Sequence, residues 1–340
     1  MENLEQSNFK PTATRENWVA RQQLMAKVRD FFVRRGVLEV ETPVLSNACG
    51  TDPQLDYFVT ATTQSSATQS ASVNAAQSSD EKYLMTSPEF HMKRLLAADF
   101  GDIFQITKSF RKDEFGSHHN NEFSMVEWYR VGMPQEQLMD EVEALVSEIL
   151  GTPIHAKRTR WIDAFKNYAG VNPFCENLAD FAAACRNRNI PVPEHSENLT
   201  REEWWDYLMV FAVEPVLASN GPEFLLDYPP TQAALAQTYI GSDGLTWAKR
   251  FELFVDQVEL CNGYTELTDA AEQRRRFEAD ADIRKAMGKD VPKIDENFLA
   301  ALESGMPACS GVALGLDRLF MLALHKENIS DVILFPSPIS

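Results

Sequence analysis

Two alternating stretches, DIFQITKSFR (102–111) and EFSMVEWYR (122–130), constrain the fold of this 340-residue chain more than any other feature. Alternation of side chains along a strand places Phe104, Ile106 and Phe110 on one face of the first stretch. The opposite face of that stretch carries Gln105, Thr107, Ser109 and Arg111. One face of the second stretch carries Phe123, Met125, Glu127 and Tyr129. The loop between the stretches, KDEFGSHHNN, predicts an antiparallel hairpin with a long tip. The apolar face that carries Phe104 is expected to be the buried one.

The rest of the chain predicts helices and strands in an order that favours one fold class. Helices are expected over about 15–35, 88–98, 134–150, 177–188, 200–218, 269–287 and 316–328. Further strands are expected over about 37–43, 223–228, 249–266 and 308–315. Strand runs interrupted by helices favour an α+β fold, with an antiparallel sheet flanked by helices, over a doubly wound parallel sheet. The segment 62–79 is low in complexity and is expected to be a mobile surface loop.

Composition excludes several classes of function. The chain has 32 basic and 50 acidic residues, a net charge of −18, which argues against extensive contact with tRNA or DNA. No apolar run approaches the roughly 18 residues of a membrane span, and the first residues lack the apolar core of a signal peptide. Five scattered cysteines without a C-x-x-C pair predict a reducing cytoplasm and no zinc site.

The 102–130 hairpin carries the first pattern that suggests chemistry. Arg111, Phe123, Glu127 and Tyr129 are unusual together on a face that only meets solvent. A guanidinium is a forked donor suited to a phosphate, and a phenylalanine ring offers a stacking plane to an aromatic base. The alternative, an amphipathic sheet with one solvated face, stays open at this point.

The second pattern is RFELFVDQVELCNGYTEL (250–267). If Asp256-Gln257 forms a two-residue turn, Phe254 lies opposite Glu259, and Glu252 lies on the same side. Two carboxylates there suit Mg²⁺, which proteins hold by one or two carboxylates together with substrate phosphates. The alternative is an edge strand with exposed acids.

Downstream of the acidic pair, Asn262, Tyr264 and Glu266 alternate onto one face of the same stretch. A buried Glu266 would need a cationic partner, which a lysine ammonium can supply.

The third pattern is GVALGLDRLFML (311–322), in which Gly311, Ala313 and Gly315 share one strand face as a flat floor. Arg318 follows in the first turn of a helix, where a cation opposes the helix dipole and so suggests a ligand anion. Tight packing of the helix on the strand is the alternative explanation for the glycines.

Taken together, the three stretches resemble the signature motifs of class II aminoacyl-tRNA synthetases. The helix and strand ending in ETP at Pro43 are similar to motif 1, which is the dimer-interface element. FRKDE, together with HHNNEF and EWY, is similar to motif 2. GVALGLDRL is similar to motif 3. SPEFHMKRL and ELCNGYTEL are similar to the lysyl-tRNA synthetases. The match covers nearly all of 15–335. It implies one class II synthetase-like catalytic domain over 1–340, with a mainly helical insertion at 134–220, and a homodimer.

Two departures point to a particular branch of that family. Motif 1 begins too early for an N-terminal anticodon-binding domain, and Ala313 stands where the lysyl enzymes have glycine. Both features, and the stretches PPTQAALAQ and MPACSGVALG, are similar to the short bacterial paralogues that modify elongation factor P. Those enzymes activate lysine, preferably (R)-β-lysine, and join it to a lysine side chain of the factor.

The resemblance therefore implies a cytoplasmic, ATP-dependent ligase that has elongation factor P as acceptor, binds no tRNA stably and needs no membrane. A truncated lysyl-tRNA synthetase that charges tRNA is the nearest alternative. A non-catalytic module that binds lysine or ATP, and an amide-forming synthetase acting on small molecules, are the others.

The resemblance also assigns roles to residues. It implies that Arg111 grips the α-phosphate of ATP, that Arg318 holds the γ-phosphate, and that both are catalytic. The implied ATP-binding residues are Arg111, Asp113, Glu114, His119, Phe123, Glu252, Glu259, Gly315 and Arg318. Whether Asp113 or Glu114 contacts adenine stays open, because the family's glutamate stands at the position of Asp113.

The same resemblance gives the lysine side of the site. The implied substrate-binding residues are Glu89, Glu127, Tyr129, Asn262, Tyr264, Glu266 and Ala313. Within this set, Glu266 and Tyr129 would meet the ε-ammonium, Asn262 the carboxylate and Glu89 the other amino group. Glu252 and Glu259 would hold Mg²⁺.

Overall fold

The computed structural model describes residues 9–61 and 81–340. The loop expected over 62–79 lies outside the described residues. The described α-helices are α1 (Arg15–Val33), α2 (Glu89–Ala97), α3 (Gln135–Leu150), α4 (Trp161–Ala164), α5 (Ala179–Asn187), α6 (Arg201–Leu208), α7 (Ala270–Ala286), α8 (Glu296–Glu303) and α9 (Leu316–Ala323). The described strands are β1 (Leu38–Glu39), β2 (Leu45–Ser46), β3 (Val59–Ala61), β4 (Glu81–Leu84), β5 (Ile103–Phe110), β6 (Glu122–Val131), β7 (Lys157–Arg160), β8 (Glu223–Tyr228), β9 (Thr238–Ile240), β10 (Thr246–Val255), β11 (Val258–Thr265) and β12 (Cys309–Gly315).

The strands of the described residues form two sheets. The large sheet has the order β1-β5-β6-β12-β11-β10-β8-β7, with β9 paired to β10, and the small sheet has the order β2-β4-β3. Strands β8, β10, β11 and β12 pair antiparallel, which confirms the expected α+β fold with a sheet flanked by helices. The outer pairs β1–β5 and β7–β8 are parallel, because long crossovers that contain helices connect them.

The chain divides into two compact units. The first comprises Met1–Trp128, Thr268–Pro307 and Gly315–Ser340, and the second comprises Tyr129–Leu267 and Ala308–Leu314. No helix in the described ranges is both long and apolar enough to cross a membrane.

Helix α1 supplies part of the core of the first unit, as its periodicity predicts. Leu24, Val28, Phe31 and Phe32 are all buried, and the ring of Phe32 stacks on Phe104 of β5 at 4.6 Å between centroids. The hydroxyl of Thr14 caps the helix by accepting a hydrogen bond from the third residue of the first turn. Apolar residues spaced three and four apart thus produce one buried stripe.

The expectation of a buried Phe104 face on the 102–130 hairpin is confirmed only in part, and the alternative of a solvated opposite face is wrong. Phe104 is buried as predicted, but Ile106 and Phe110 are only half-buried. On the opposite face Gln105 and Ser109 are buried instead of wet. A strand inside a sheet that is covered on both sides buries polar residues wherever each finds a partner, as Gln105 does with the hydroxyl of Thr42 at 2.9 Å.

Three element boundaries also differ from the prediction. The strand expected over 37–43 is reduced to β1, whose two residues pair with β5, and Leu38 of this strand is 49% exposed. The helix expected over 200–218 is α6 continued by a π-helical segment, Met209–Val213. The last helix ends at Ala323 rather than near 328, and a 3-10 turn, Ile329–Asp331, follows.

Aromatic side chains fill the core of the second unit. The ring of Trp161 lies 4.1 Å from that of Phe165 and 5.1 Å from that of Trp205, and all three side chains are buried. Residues 134–220 contain α3 to α6 together with β7, and this aromatic cluster lies largely within that region.

The β10–β11 hairpin confirms the predicted turn and register. Asp256 and Gln257 have φ of 49° and 64°, the two left-handed positions that a two-residue hairpin turn of the favoured type requires. Phe254 lies opposite Glu259, as the sequence predicts. A register shift between Leu253 and Phe254 marks a β-bulge on this pair.

Candidate active site

In the first unit, the end of β5 and the start of β6 bring Arg111, Glu114 and Phe123 together. The Arg111 guanidinium lies 5.1 Å from the centroid of the Phe123 ring, and its Nη1 is 3.7 Å from Oε1 of Glu114. The Nε of Arg111 is buried and has no hydrogen-bond partner among the described residues. Asp113, the neighbour of Glu114, is exposed and has a left-handed φ of 64°. A directed guanidinium donor beside an aromatic plane suits a nucleotide phosphate and a base.

The start of α9 carries the second arginine of the predicted nucleotide site. Arg318 Nη2 is 2.5 Å from Nε2 of His119, and its Nε donates to the carbonyl of His118 at 3.1 Å. Gly315 is the N-cap residue of this helix. The structure thus brings His119 and Arg318 together, although the two residues are far apart in the sequence.

A buried ion pair holds the first turn of α9 in place. Asp317 Oδ1 accepts from Nη2 of Arg21 at 2.5 Å, and the exposed fractions of the two side chains are 2% and 6%. The other oxygen of Asp317 accepts from the backbone N–H of Ser124 on β6 at 2.6 Å. Because Arg318 is the next residue, this pair fixes the backbone from which its guanidinium extends.

Two further predicted residues of the first unit have protein partners. Oε1 of Glu89, in the first turn of α2, accepts from the fully buried ammonium of Lys93 at 2.5 Å. Oε2 of Glu127 accepts from the hydroxyl of Ser87 at 2.7 Å. Both carboxylates are therefore held in fixed orientations, one by a cation and one by a hydroxyl.

In the second unit, β11 and β12 place the predicted lysine-binding residues side by side. Asn262 pairs with Ala313, and Tyr264 pairs with Gly311. The amide oxygen of Asn262 is buried without a hydrogen-bond partner among the described residues. A buried amide without a partner is available to a ligand, since leaving it unpaired costs free energy.

Gly311 lies where Tyr129 and Glu266 converge. A Cβ at this position would lie 2.4 Å from Cε1 of Tyr129 and 2.5 Å from Oε1 of Glu266, so only glycine fits. Tyr129 and Glu266 are 2% and 1% exposed. Glu266 is therefore buried, and a buried carboxylate of this kind is suited to a cationic group.

Glu252 and Glu259 lie on one side of the β10–β11 hairpin, as the turn predicts. Burial raises the pKa of Glu252 despite the Arg250 guanidinium beside it, and the Glu259 carboxylate raises that pKa further. Burial also raises the pKa of Glu214, and the carboxylates of Glu252 and Glu259 add to this rise. Negative charge is therefore concentrated on this side of the second unit.

The donor set at this acidic pair fits Mg²⁺. In residues 9–61 and 81–340 no group of three or more histidine, cysteine or acidic side chains is arranged to hold a metal ion. Two carboxylates alone suit a hard cation that takes its remaining ligands from water and from substrate phosphates. Each oxygen of Glu252 accepts one hydrogen bond, which leaves lone pairs for a cation.

Sequence reasoning missed several residues that contact the predicted ones. Arg250 stands two positions before Glu252, so period-two alternation already places it on the same strand face. The hydroxyls of Tyr228 and Ser87 carry no such signal, because they reach their glutamates from other elements. Lys93 stands four residues after Glu89 in α2, a spacing that predicts their ion pair.

Comparisons with known proteins show which family the chain matches. Residues 8–338 match the family described as tRNA synthetases class II (D, K and N). The chain is 44% identical over 333 residues to a protein of Proteus mirabilis named elongation factor P–(R)-β-lysine ligase, covering 97% of this chain and 98% of the relative. Proteins with the same name from Pectobacterium atrosepticum and Haemophilus influenzae are 43% and 42% identical, each over 97% of this chain and over 98% and 97% of the relative.

Proposed function

The chain belongs to the class II tRNA synthetases of the D, K and N type, and from this premise we propose that it is an ATP-dependent ligase acting on elongation factor P. It activates (R)-β-lysine, or lysine, as an aminoacyl-adenylate and transfers the aminoacyl group to a lysine side chain of the factor. The names of relatives that match over almost their whole length support this substrate and this acceptor.

The buried Glu266 beside Tyr129 is the observation that carries the proposal. A carboxylate that is 1% exposed, on a glycine floor, selects a ligand with a cationic end. Lysine and β-lysine share an ε-ammonium, so Glu266 and Tyr129 bind the part of the substrate that both isomers have in common. Asn262, Tyr264 and Ala313 then lie along the same pair of strands, where the isomers differ.

In the first step, a carboxylate oxygen of the amino acid attacks the α-phosphorus of ATP. The new P–O bond forms as the bond to pyrophosphate breaks, and the products are the adenylate and pyrophosphate. Arg111 binds the α-phosphate, Arg318 the γ-phosphate, and Phe123 stacks on adenine, with Glu127 and Glu89 on the substrate side. Positioning and neutralisation of charge carry this step, because phosphoryl transfer asks little covalent work of a protein.

Glu252 and Glu259 are the residues that would hold Mg²⁺. When bound, the ion neutralises charge on the phosphates. Without a cation between them, the two carboxylates would repel the phosphates of ATP, since all of these groups are negatively charged.

In the second step, a neutral lysine amine of the acceptor attacks the carbonyl carbon of the mixed anhydride. An amide bond forms, AMP leaves, and the amine loses a proton. The amine has to be deprotonated first, since the pKa of a free lysine is about 10.4. The acceptor is a protein, so the net charge of −18 is compatible with it, whereas extended tRNA contact is disfavoured.

The proposal includes a homodimer, a cytoplasmic location and no stable tRNA binding. The five cysteines of the chain are all free thiols, which supports a reducing compartment.

Pyrophosphate exchange with (R)-β-lysine, α-lysine and norleucine tests the activation step. We expect exchange with both lysines and none with norleucine, which has an α-ammonium but lacks the ε-ammonium. Exchange with norleucine would contradict the role of Glu266, and the absence of exchange with any amino acid would favour a non-catalytic binding module.

A further inference from the structure

The carboxylate of Glu252 is clamped from two sides by residues to which no role is yet assigned. The hydroxyl of Tyr228 donates to Oε2 of Glu252 at 2.5 Å, and Nη2 of Arg250 donates to Oε1 at 2.5 Å. The Arg250 guanidinium also lies over the Tyr228 ring, 4.3 Å from its centroid. Tyr228 is 4% exposed and the side chains of Arg250 and Glu252 are 18% and 13% exposed, so the cluster is mostly but not completely buried. A carboxylate with one donor on each oxygen cannot rotate without losing a hydrogen bond.

The backbone beside Tyr228 is irregular in two ways. The pairing of β10 with β8 shifts register between Ala248 and Phe251 of β10. On β8, Asp227 has a left-handed φ of 58°. Such irregularities re-aim side chains, and a left-handed aspartate costs free energy that its surroundings have to offset. Arg160 holds the Asp227 carboxylate at 3.0 Å. The ion pair with Arg160 thus stabilises Asp227 in this conformation independently of Glu252.

Arg250 also holds a neighbouring loop. Its Nη1 donates to the carbonyl of Gln232 at 2.8 Å, within the segment 229–237. That segment runs beside the strand end that carries Glu266, because the N–H of Gln237 donates to the carbonyl of Thr265 at 2.8 Å and Ala236 bridges to Glu266. One guanidinium therefore contacts both the acidic pair and the loop beside the lysine-binding carboxylate.

We propose that Tyr228 and Arg250 are positioning residues: together they fix Glu252 for a divalent cation, and Arg250 links that orientation to the 229–237 loop beside Glu266. This inference rests on the proposed function, which gives Glu252 and Glu259 to Mg²⁺. The free lone pairs of the two clamped oxygens then point in directions set by the protein before the cation arrives. Pre-set ligand orientation of this kind is how outer contacts tune a metal site.

The two residues predict different patterns when substituted. Tyr228→Phe removes one donor to Glu252 and leaves the loop contact. It should weaken Mn²⁺ binding in the presence of α,β-methylene-ATP by about tenfold, the loss of one hydrogen bond to a charged group. The KM for (R)-β-lysine should stay within about twofold of wild type. Arg250→Lys removes the bidentate reach of the guanidinium to Glu252 and Gln232. It should weaken Mn²⁺ binding by at least as much and also raise the KM for (R)-β-lysine about fivefold or more.

Free Mn²⁺ measured by electron paramagnetic resonance gives the binding constant without any turnover. Tyr168→Phe is the matched control, because the Tyr168 hydroxyl donates to another buried glutamate, Glu223, at 2.7 Å. That variant should bind Mn²⁺ as wild type does. If Arg250→Lys does not fold, Tyr228→Phe alone tests whether the contacts to Glu252 position it for a divalent cation.

Unchanged Mn²⁺ binding in Tyr228→Phe would overturn the inference while leaving the proposed function intact. The inference is also overturned if Arg250→Lys changes the melting temperature but changes neither the Mn²⁺ affinity nor the KM for (R)-β-lysine. Wild-type protein that retains no Mn²⁺ with the nucleotide analogue would instead overturn the magnesium assignment in the proposed function, and the inference with it.

Discussion

At the residue scale, Gly311 sets how closely two side chains of the proposed lysine site approach the strand beneath them. Its missing Cβ is the space into which the Tyr129 ring and the Glu266 carboxylate fit. The sequence already marks Gly311 as part of a flat floor, but only the structure shows that protein side chains, rather than a ligand alone, rest on it.

Glu266→Gln removes the charge that we propose binds the substrate ε-ammonium. Breaking a buried ion pair by removing one partner costs about 3–5 kcal/mol, and about 1.4 kcal/mol is a factor of ten. We expect kcat/KM for (R)-β-lysine in pyrophosphate exchange to fall by at least about 100-fold. Glu141→Gln, at a buried glutamate paired with Arg130, is the control and should keep its exchange rate. Unchanged exchange in Glu266→Gln would refute the assignment.

Gly311→Ala places a methyl group on the floor of the same pocket. The neighbouring atoms at 2.4 and 2.5 Å have to move, and overpacking of this kind costs about 1–3 kcal/mol. We expect kcat/KM for lysine substrates to fall about tenfold or more, with the KM for ATP changed much less. Gly50→Ala is the control, since a Cβ there meets only Thr86 Oγ1 at 4.0 Å. Equal kinetics in the two variants would show that Gly311 does not shape the pocket.

Ala313→Gly removes a methyl group from the strand position opposite Asn262. We expect the ratio of kcat/KM for α-lysine to that for (R)-β-lysine to rise, because the pocket gains room beside the end of the substrate where the isomers differ. A single methylene is worth about 10- to 200-fold in discrimination at most. Competition between the two labelled isomers measures the ratio, and an identical ratio in both proteins would show that the methyl is irrelevant.

At the element scale, local signals predicted the β10–β11 hairpin correctly and the 102–130 hairpin only in part. Asp256-Gln257 between alternating strands was enough to give the pairing of Phe254 with Glu259, since a two-residue turn fixes the register. Alternation could not show that both faces of β5 are covered, because burial depends on distant helices. For the same reason, the contact of Tyr228 with Glu252 could not be predicted, as it depends on a bulge and on the left-handed Asp227.

The buried Arg21–Asp317 pair, which joins α1 to the start of α9, gives a prediction at this scale. Asp317→Asn leaves a buried guanidinium without its counter-charge, so we expect the variant to lose about 3 kcal/mol of stability and to show a raised KM for ATP through Arg318. Thermal unfolding and pyrophosphate exchange measure the two effects. Arg29→Ala breaks an exposed pair with Glu39 and should cost less than about 1 kcal/mol. Equal losses in both variants would contradict the structural role of the buried pair.

At the scale of the whole molecule, the family of the chain and its charge together restrict the acceptor. The match to class II tRNA synthetases extends over residues 8–338 and gives amino-acid activation. A net charge of −18 gives little attraction to a polyanion such as tRNA, because affinity for nucleic acid comes largely from cations that neutralise phosphates. A protein acceptor removes this conflict.

One measurement tests the central claim most directly. The enzyme is supplied with ATP, Mg²⁺ and labelled (R)-β-lysine, and elongation factor P and bulk tRNA are offered together as competing acceptors. Our account predicts label on a lysine of the protein and none on tRNA, with labelled α-lysine transferred less well. Label on tRNA alone would contradict it and would identify the chain as a synthetase that charges tRNA.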